Sequence, residues 1–162
     1  MDGIHVSLEA MDSASFTQYL QFAIPSYAHD NVESGRWDKS DALERSKKVY
    51  AQLLPEGLNS PDDHLFNIIE SATNQNVGYI WVKIETHFGA KTAFIYGVGI
   101  FEGYRRKGYA KSALRCIETV ASDLGATSLG LHVFSHNSAA QSLYSSMGYH
   151  VVSHNMKKSL VS

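Results

Sequence analysis

Between residues 64 and 124 the chain changes period once, and this restricts the fold more than any other feature. Three runs rich in β-branched and aromatic residues come first: HLFNIIES (64–71), NVGYIWVKIET (76–86) and KTAFIYGVGIF (91–101). Short polar connectors, ATNQ and HFGA, separate them, as in an antiparallel three-strand meander. Helical period then takes over. Ala110, Ala113, Leu114, Ile117, Val120, Ala121 and Leu124 form one stripe, and Gly125 ends it. A short strand, SLGLHVF, follows. The passage from about residue 92 to 134 is therefore strand, helix, strand. Such a crossover is right-handed and leaves its two strands parallel.

The flanks complete the order. Residues 4–10 alternate as a strand. Phe16, Tyr19, Leu20, Ala23 and Ile24 share a helical face behind the cap-type residues Asp12 and Ser13, and Pro25 is expected to break or kink that helix. The segment SYAHDNVESGRW reads as less regular. A second helix is expected from about Asp38, with Leu43, Ser46, Val49, Tyr50, Leu53 and Leu54 inward. Near the end, a helix spans Asn137 to Met147, and YHVVSHNMKKSL reads as a last strand. The order β-α-α-β-β-β-α-β-α-β defines an α+β class with a mostly antiparallel sheet. The 162 residues suit one domain, 1–162, with no repeat or linker.

Composition excludes several functions. A net charge of −2 argues against a general nucleic-acid binder. The N-terminal MDGIHVSLEAMD is not a signal peptide, no apolar run spans a bilayer, and the one cysteine, Cys116, fits a reducing cytoplasm. His132/His136 and His150/His154 have a metal-like spacing, but four residues of strand separate side chains by about 13 Å, too far for one ion. Cys116 reads as a small buried residue rather than a nucleophile.

The chemistry concentrates where the third run meets the helix, in GYRRKGYAKSAL (103–114). Arg105, Arg106 and Lys107 precede Gly108 at a helix start. Free N–H groups, the helix dipole, a glycine and three cations suit a phosphate. Three cations on a turn also make an ordinary solvated surface. The Walker pattern is absent, and GVGIFEG is not a dinucleotide fingerprint, since its third glycine is a residue late.

Arg105, Gly108 and Ala110 fill the pattern [Arg/Gln]-x-x-Gly-x-[Gly/Ala] between a strand and a helix. The run IFEGYRRKGYAKSAL resembles the acetyl-CoA pyrophosphate loop of the GNAT superfamily of N-acetyltransferases. It departs from it at Arg106, where many members have Gly, and at Glu102, where proline is common. A second stretch, NSAAQSLYSSMGY (137–149), resembles that family's Asn-x-x-Ala-x-x-Leu-Tyr-x-x-x-Gly-[Phe/Tyr] signature at Asn137, Ala140, Leu143, Tyr144, Gly148 and Tyr149. LLPEGL and HVFSHN resemble a bacterial subgroup.

The resemblance implies a mixed sheet whose parallel pair, ending near Phe101 and Phe134, splays into a gap for acetyl-CoA. Val98, Gly99 and Ile100 would pair with the pantetheine arm. Gly97 and Gly99 fit this locally, since glycine inside a strand marks a bulge or a close approach. The amides of Arg106, Lys107, Gly108, Tyr109, Ala110 and Lys111 would hold the pyrophosphate, and Asn137 the reacting end. No metal is implied. Acetyl would pass directly to an amine. An alkyl ammonium with pKa near 10.4 is neutral only about once in a few thousand molecules at pH 7, so a base or a desolvating pocket is needed. Tyr144 is the implied proton donor to the leaving thiolate; on its own periodicity it reads sooner as a buried aromatic. Phenol to thiolate is uphill by about 2 kcal/mol in water, so Tyr144 must be acidified or act as a hydrogen-bond donor.

Glu85, Tyr96, Glu102, His132 and a relayed water are open as the base. Trp37, with Tyr27 and Glu33, caps an acceptor pocket or simply packs; Tyr27, Trp37, Tyr96 and His132 are the acceptor-side candidates. The alternatives to an N-acetyltransferase are a non-catalytic acyl-CoA-binding regulatory module and, more weakly, an adenine-nucleotide binder. The acceptor is a small-molecule or peptide amine, and the C-terminal strand could exchange or pair across a homodimer.

Overall fold

The computed structural model describes residues 5–161. One five-stranded sheet has the order β1 (Val6–Ala10), β2 (Asp63–Glu70), β3 (Asn76–His87), β4 (Ala90–Ile100) and β5 (Leu129–Leu131). Neighbours are antiparallel except β4 and β5, which are parallel. The expected meander and crossover are both present. Helices α1 (Ser13–Glu33) and α2 (Ala42–Leu53) contribute to one core, α3 (Tyr109–Asp123) to the other, and α4 (Ser138–Ser146) follows β5.

Strand alternation decides which side chain joins which core. Ile80, Val82 and Ile84 of β3 pack with Ala113, Leu114, Ile117 and Ala121 of α3. Their neighbours Tyr79 and Trp81 belong to the core formed with Tyr19 and Ala23 of α1. β3 is thus covered on both faces, which explains its near-continuous apolar run.

Pro25 does not end α1, which continues through it to Glu33 and takes in much of the segment expected to be irregular. The residue whose carbonyl loses its donor, Gln21, is exposed, as is Pro25 itself, while Ala23, Ala28 and Asn31 on the opposite side stay buried. Water can serve the carbonyl that the proline leaves unpaired. The carbonyl just before the proline, of Ile24, accepts the fully buried Ser46 hydroxyl at 2.7 Å, tying α2 to α1. Leu43, expected inward, is exposed: the buried line of α2 runs through Ala42 and Ser46, four residues apart, and Leu43 lies beside it.

Two expectations for the C-terminal part fail. Only Leu129–Leu131 of SLGLHVF pairs in the sheet, and residues 150–161 form no strand at all. Among the described residues no strand reaches the outer edge of β5, so strand propensity there has no ladder to join.

Ser46→Ala should lower the unfolding free energy by about 1 kcal/mol, read from urea denaturation, since it removes the hydrogen bond between the two helices. Gly78→Ala should cost more, about 3 kcal/mol, because its Cβ would lie 2.2 Å from the Gly99 carbonyl oxygen. Gly103, with open space around it, should accept the same change with little loss in the same assay.

Candidate active site

The site begins with one extra residue. Trp81 of β3 stands opposite Gly97 and Val82 opposite Ile95, so Tyr96 is a bulge in β4. The β4–β5 ladder stops at the same level, with Ile95 opposite Leu131. A bulge bends its strand, and from Tyr96 to Ile100 β4 leaves β5 while staying paired to β3. The glycines beside the bulge mark close approaches: a Cβ on Gly97 would meet the Tyr19 hydroxyl at 3.0 Å, and one on Gly99 the Tyr79 hydroxyl at 2.5 Å.

A cleft of about 450 Å³ occupies one side of this divergence. It brings together Val98, Gly99, Ile100, Arg105, Arg106, Gly108, Tyr109, Ala110, Lys111, Asn137 and Tyr144. Its floor is the start of α3. Ser112 N–H is the first to find a helical acceptor, the Gly108 carbonyl at 3.2 Å, and among the described residues the N–H groups from Arg106 to Lys111 find none. Gly108 has φ of 86° and Arg106 a φ of 64°. A left-handed arginine costs about 1 kcal/mol, the physical reason a glycine suits this position. Arg106 is exposed, so its side chain is free of the packed turn. The Arg105 Nε donates to the Ile100 carbonyl at 3.0 Å and anchors the turn to the end of β4.

Two residues of the basic turn point elsewhere. Lys107 does not line the cleft; its charge, after hydrogen bonds from Thr73 and Tyr109, helps hold the Glu70 carboxyl below its usual range. Tyr109 is buried, and its hydroxyl donates to Glu70, so only its backbone serves the cleft.

A second cavity, about 290 Å³, lies against the first on the α1 side. Val98, Asn137 and Tyr144 line both. Tyr27, Tyr96 and His132 line it as well, whereas Trp37 stands behind Tyr27, its ring edge-on at 5.4 Å. Asn137 caps α4, its Oδ1 accepting the Ala140 N–H at 3.2 Å. Gln141 Nε2 donates to the Phe134 and Ser135 carbonyls and holds the loop that carries Asn137. Burial pushes the Tyr144 phenol above its ordinary value, so the site does not acidify it. The Tyr96 phenol is likewise pushed up, first by burial and then by Glu85. Burial and, secondarily, the charge of Arg36 hold the His132 imidazole below its ordinary value near 6.5, which keeps it neutral at pH 7.

Several lining residues escape a reading of the sequence. Tyr19, Tyr50, Tyr79, Trp81, Asp30 and Arg36 come from α1, α2, the turn between them and β3. Periodicity marks Tyr19 and Tyr50 only as inward; the bulge beside Trp81 puts them at one cavity. Asp30 Oδ1 lies 3.5 Å from His136 Nε2, linking α1 to the loop after β5. Glu102 falls in a short turn beyond β4 and does not line this cavity. Cys116 packs near the Val6 carbonyl, its thiol pushed up by burial. Among the described residues no three His, Cys, Asp or Glu gather as a metal site, and no helix is long and apolar enough to cross a membrane.

A splayed parallel pair over a basic helix start, with an asparagine cap and a tyrosine between two cavities, makes up the candidate site. The family model of the GNAT acetyltransferases matches residues 26–149, and the chain belongs to that family. It is similar to two Bacillus subtilis proteins, the uncharacterized N-acetyltransferases YycN (37% identical, covering 96% of this chain and 99% of that one) and YdgE (34%, covering 95% and 98%). The crystal structure of YycN superposes with a TM-score of 0.92 at 37% identity, over 97% of this chain and 99% of that one. An acetyltransferase structure from Pyrococcus furiosus shares the fold, with a TM-score of 0.69 at 21% identity over 96% and 100%. The protein is an N-acetyltransferase.

The His132 imidazole should titrate below 6.5 when followed by NMR. Arg36→Gln should raise that midpoint, because removal of a nearby cation favours the imidazolium.

Proposed function

We propose that this domain, residues 1–162, transfers acetyl from acetyl-CoA directly to a primary amine. The observation that carries the reading is the meeting of the two cavities at Val98, Asn137 and Tyr144. A thioester in one and an amine in the other would react at that junction. The unpaired N–H groups from Arg106 to Lys111 fit a pyrophosphate, and the open edge of β4 at Val98–Ile100 fits the amides of a pantetheine arm. Acetyl-CoA is the co-substrate and supplies the activated acyl group.

The amine nitrogen forms the new C–N bond and the C–S bond breaks. The aromatic walls disfavour an ammonium's hydration and so lower its pKa. Neutral His132, directly or through water, takes the amine's proton. Tyr96, a phenol held in its neutral form, is a hydrogen-bond donor and not the base. Tyr144 donates a hydrogen bond to the departing sulfur. With its pKa raised rather than lowered, full proton transfer from it is less favourable than in water, so hydrogen bonding is its main contribution. The aromatic side chains, Asp30 and Arg36 favour an acceptor with an apolar or flat body beside its cation. The one cysteine is consistent with action in a reducing cytoplasm.

Tyr144→Phe should lower turnover at least about tenfold with little change in acetyl-CoA affinity. Equal turnover in the two proteins would remove Tyr144 from the reaction. Calorimetry of acetyl-CoA against the parent and an Arg106→Glu/Gly108→Trp variant tests the cleft: binding should be lost in the variant, and no binding to the parent would overturn the reading.

A further inference from the structure

The nine tyrosines divide into two groups. Three lie outside the smaller cavity, and each of their hydroxyls donates to a side chain: Tyr104 to Gln75 at 3.2 Å, Tyr109 to Glu70, and Tyr149 to Glu118 at 2.9 Å. The other six, Tyr19, Tyr27, Tyr50, Tyr79, Tyr96 and Tyr144, line that cavity, and among the described residues none of their hydroxyls makes such a bond. Five of the six are partly exposed, so water can serve them. Tyr19 is 3% exposed, and its hydroxyl is buried without a partner. The Tyr50 hydroxyl is a neighbour outside hydrogen-bond geometry. A buried tyrosine hydroxyl ordinarily finds a partner, because leaving it without one costs stability.

The position of this hydroxyl is well defined. The Tyr19 ring is held by Tyr79, with ring centres 4.8 Å apart, and by Tyr50, edge-on at 6.4 Å. The hydroxyl at its tip lies over β4, where a Cβ on Gly97 would meet it at 3.0 Å. The next residue is Val98, which borders both cavities. Adjacent strand residues are about 3.3 Å apart, so the hydroxyl stands about one residue from the junction of the cavities. A ligand group that meets it there belongs to an atom near the reacting nitrogen, not to the far end of the acceptor.

The chemistry of that group follows from what surrounds it. The charges that reach the cavity act elsewhere, Arg36 on His132 and Asp30 on Tyr50 and Tyr79. A carboxylate or a second ammonium at Tyr19 would be buried without a counter-ion. A neutral hydroxyl can both donate to the phenol and accept from it. The five partly exposed tyrosines offer the same chemistry to further hydroxyls, while the rings take an apolar face of the acceptor. We infer that the acceptor is a hydroxylated primary amine, with a hydroxyl on the carbon beside the one that bears the nitrogen, and that Tyr19 is the specificity-determining residue that binds this hydroxyl. The role of the amine as acceptor rests on the proposed function; the cavity's preference for the hydroxyl does not.

The test uses trans-2-aminocyclohexanol and cyclohexylamine, which differ by that one hydroxyl. Titrated by NMR into the full chain without acetyl-CoA, the amino alcohol should bind at least about tenfold tighter than the amine. Tyr19→Phe removes only a hydroxyl that has no protein partner, so its thermal midpoint should not fall, and the ratio should drop to within about threefold. With acetyl-CoA added, kcat/KM should show the same gap in the parent and lose it in the variant. Equal binding of the two amines by the parent, or none, overturns the inference, as does a gap that survives Tyr19→Phe. A lowered midpoint with both amines weakened alike overturns it too, for then Tyr19 serves packing. Tighter binding of trans-2-aminocyclohexanecarboxylate than of the amino alcohol overturns it in favour of an acidic acceptor held by Arg36. The preference is measured without acetyl-CoA, so a parent that shows it but does not bind acetyl-CoA overturns the transfer reaction and not the recognition by Tyr19.

Discussion

The departure of β4 from β5 is the constraint on which the site depends. A parallel pair held together along its whole length would have no cavity between its ends. Here the ladder reaches Ile95 opposite Leu131 and stops, because Tyr96 is one residue too many for β3 to match. β4 bends, keeps its bonds to β3 and leaves its other edge free from Tyr96 onward. Gly97 and Gly99 make the bend possible, since Tyr19 and Tyr79 occupy the space a Cβ would need. A local packing device thus sets where two cavities open and where they meet.

Electrostatics divides the labour between those cavities. The larger one ends at a helix start with unpaired N–H groups and the charges of Arg105, Arg106 and Lys111. The smaller one is walled mainly by aromatic rings, with Asp30 and Arg36 as its charged members. The first suits an anionic group, and the second disfavours the hydration of any charge placed in it. Tyr144, on the border, is kept protonated by its burial. In the proposed reaction that suits a hydrogen-bond donor which keeps its proton throughout.

The strength of the two halves of the molecule differs. β2, β3 and β4 form long ladders covered on both faces, and α3 buries a complete stripe against them. β5 and α4 are short and lightly buried, yet they carry His132, Asn137 and Tyr144. Sub-global opening starts where few apolar contacts are made. The part of the candidate site at the junction of the two cavities is therefore the part with the least packing behind it.

The meander, the α3 stripe, the phosphate-type turn and the Asn137–Tyr144 helix were legible in the sequence, because each rests on local period, caps and glycine placement. Pro25 misled, since its effect depends on which side of α1 faces water. The fate of the last twelve described residues misled for a related reason: strand pattern says that a segment can pair, not with what. Trp37, read as a possible pocket cap, stands one ring behind the wall. Asp30 and Arg36 gave no signal, and Tyr19 and Tyr50 only that of inward packing, for these residues are far apart along the chain and joined only by the register of β3 against a bulged β4. The sequence by itself determined the class of fold, the order of its elements and the two motifs of its family. Only the tertiary structure decided the second cavity, the direction of the Tyr144 and His132 shifts and the bare β5 edge, because burial and strand register are properties of neighbours that no local window contains.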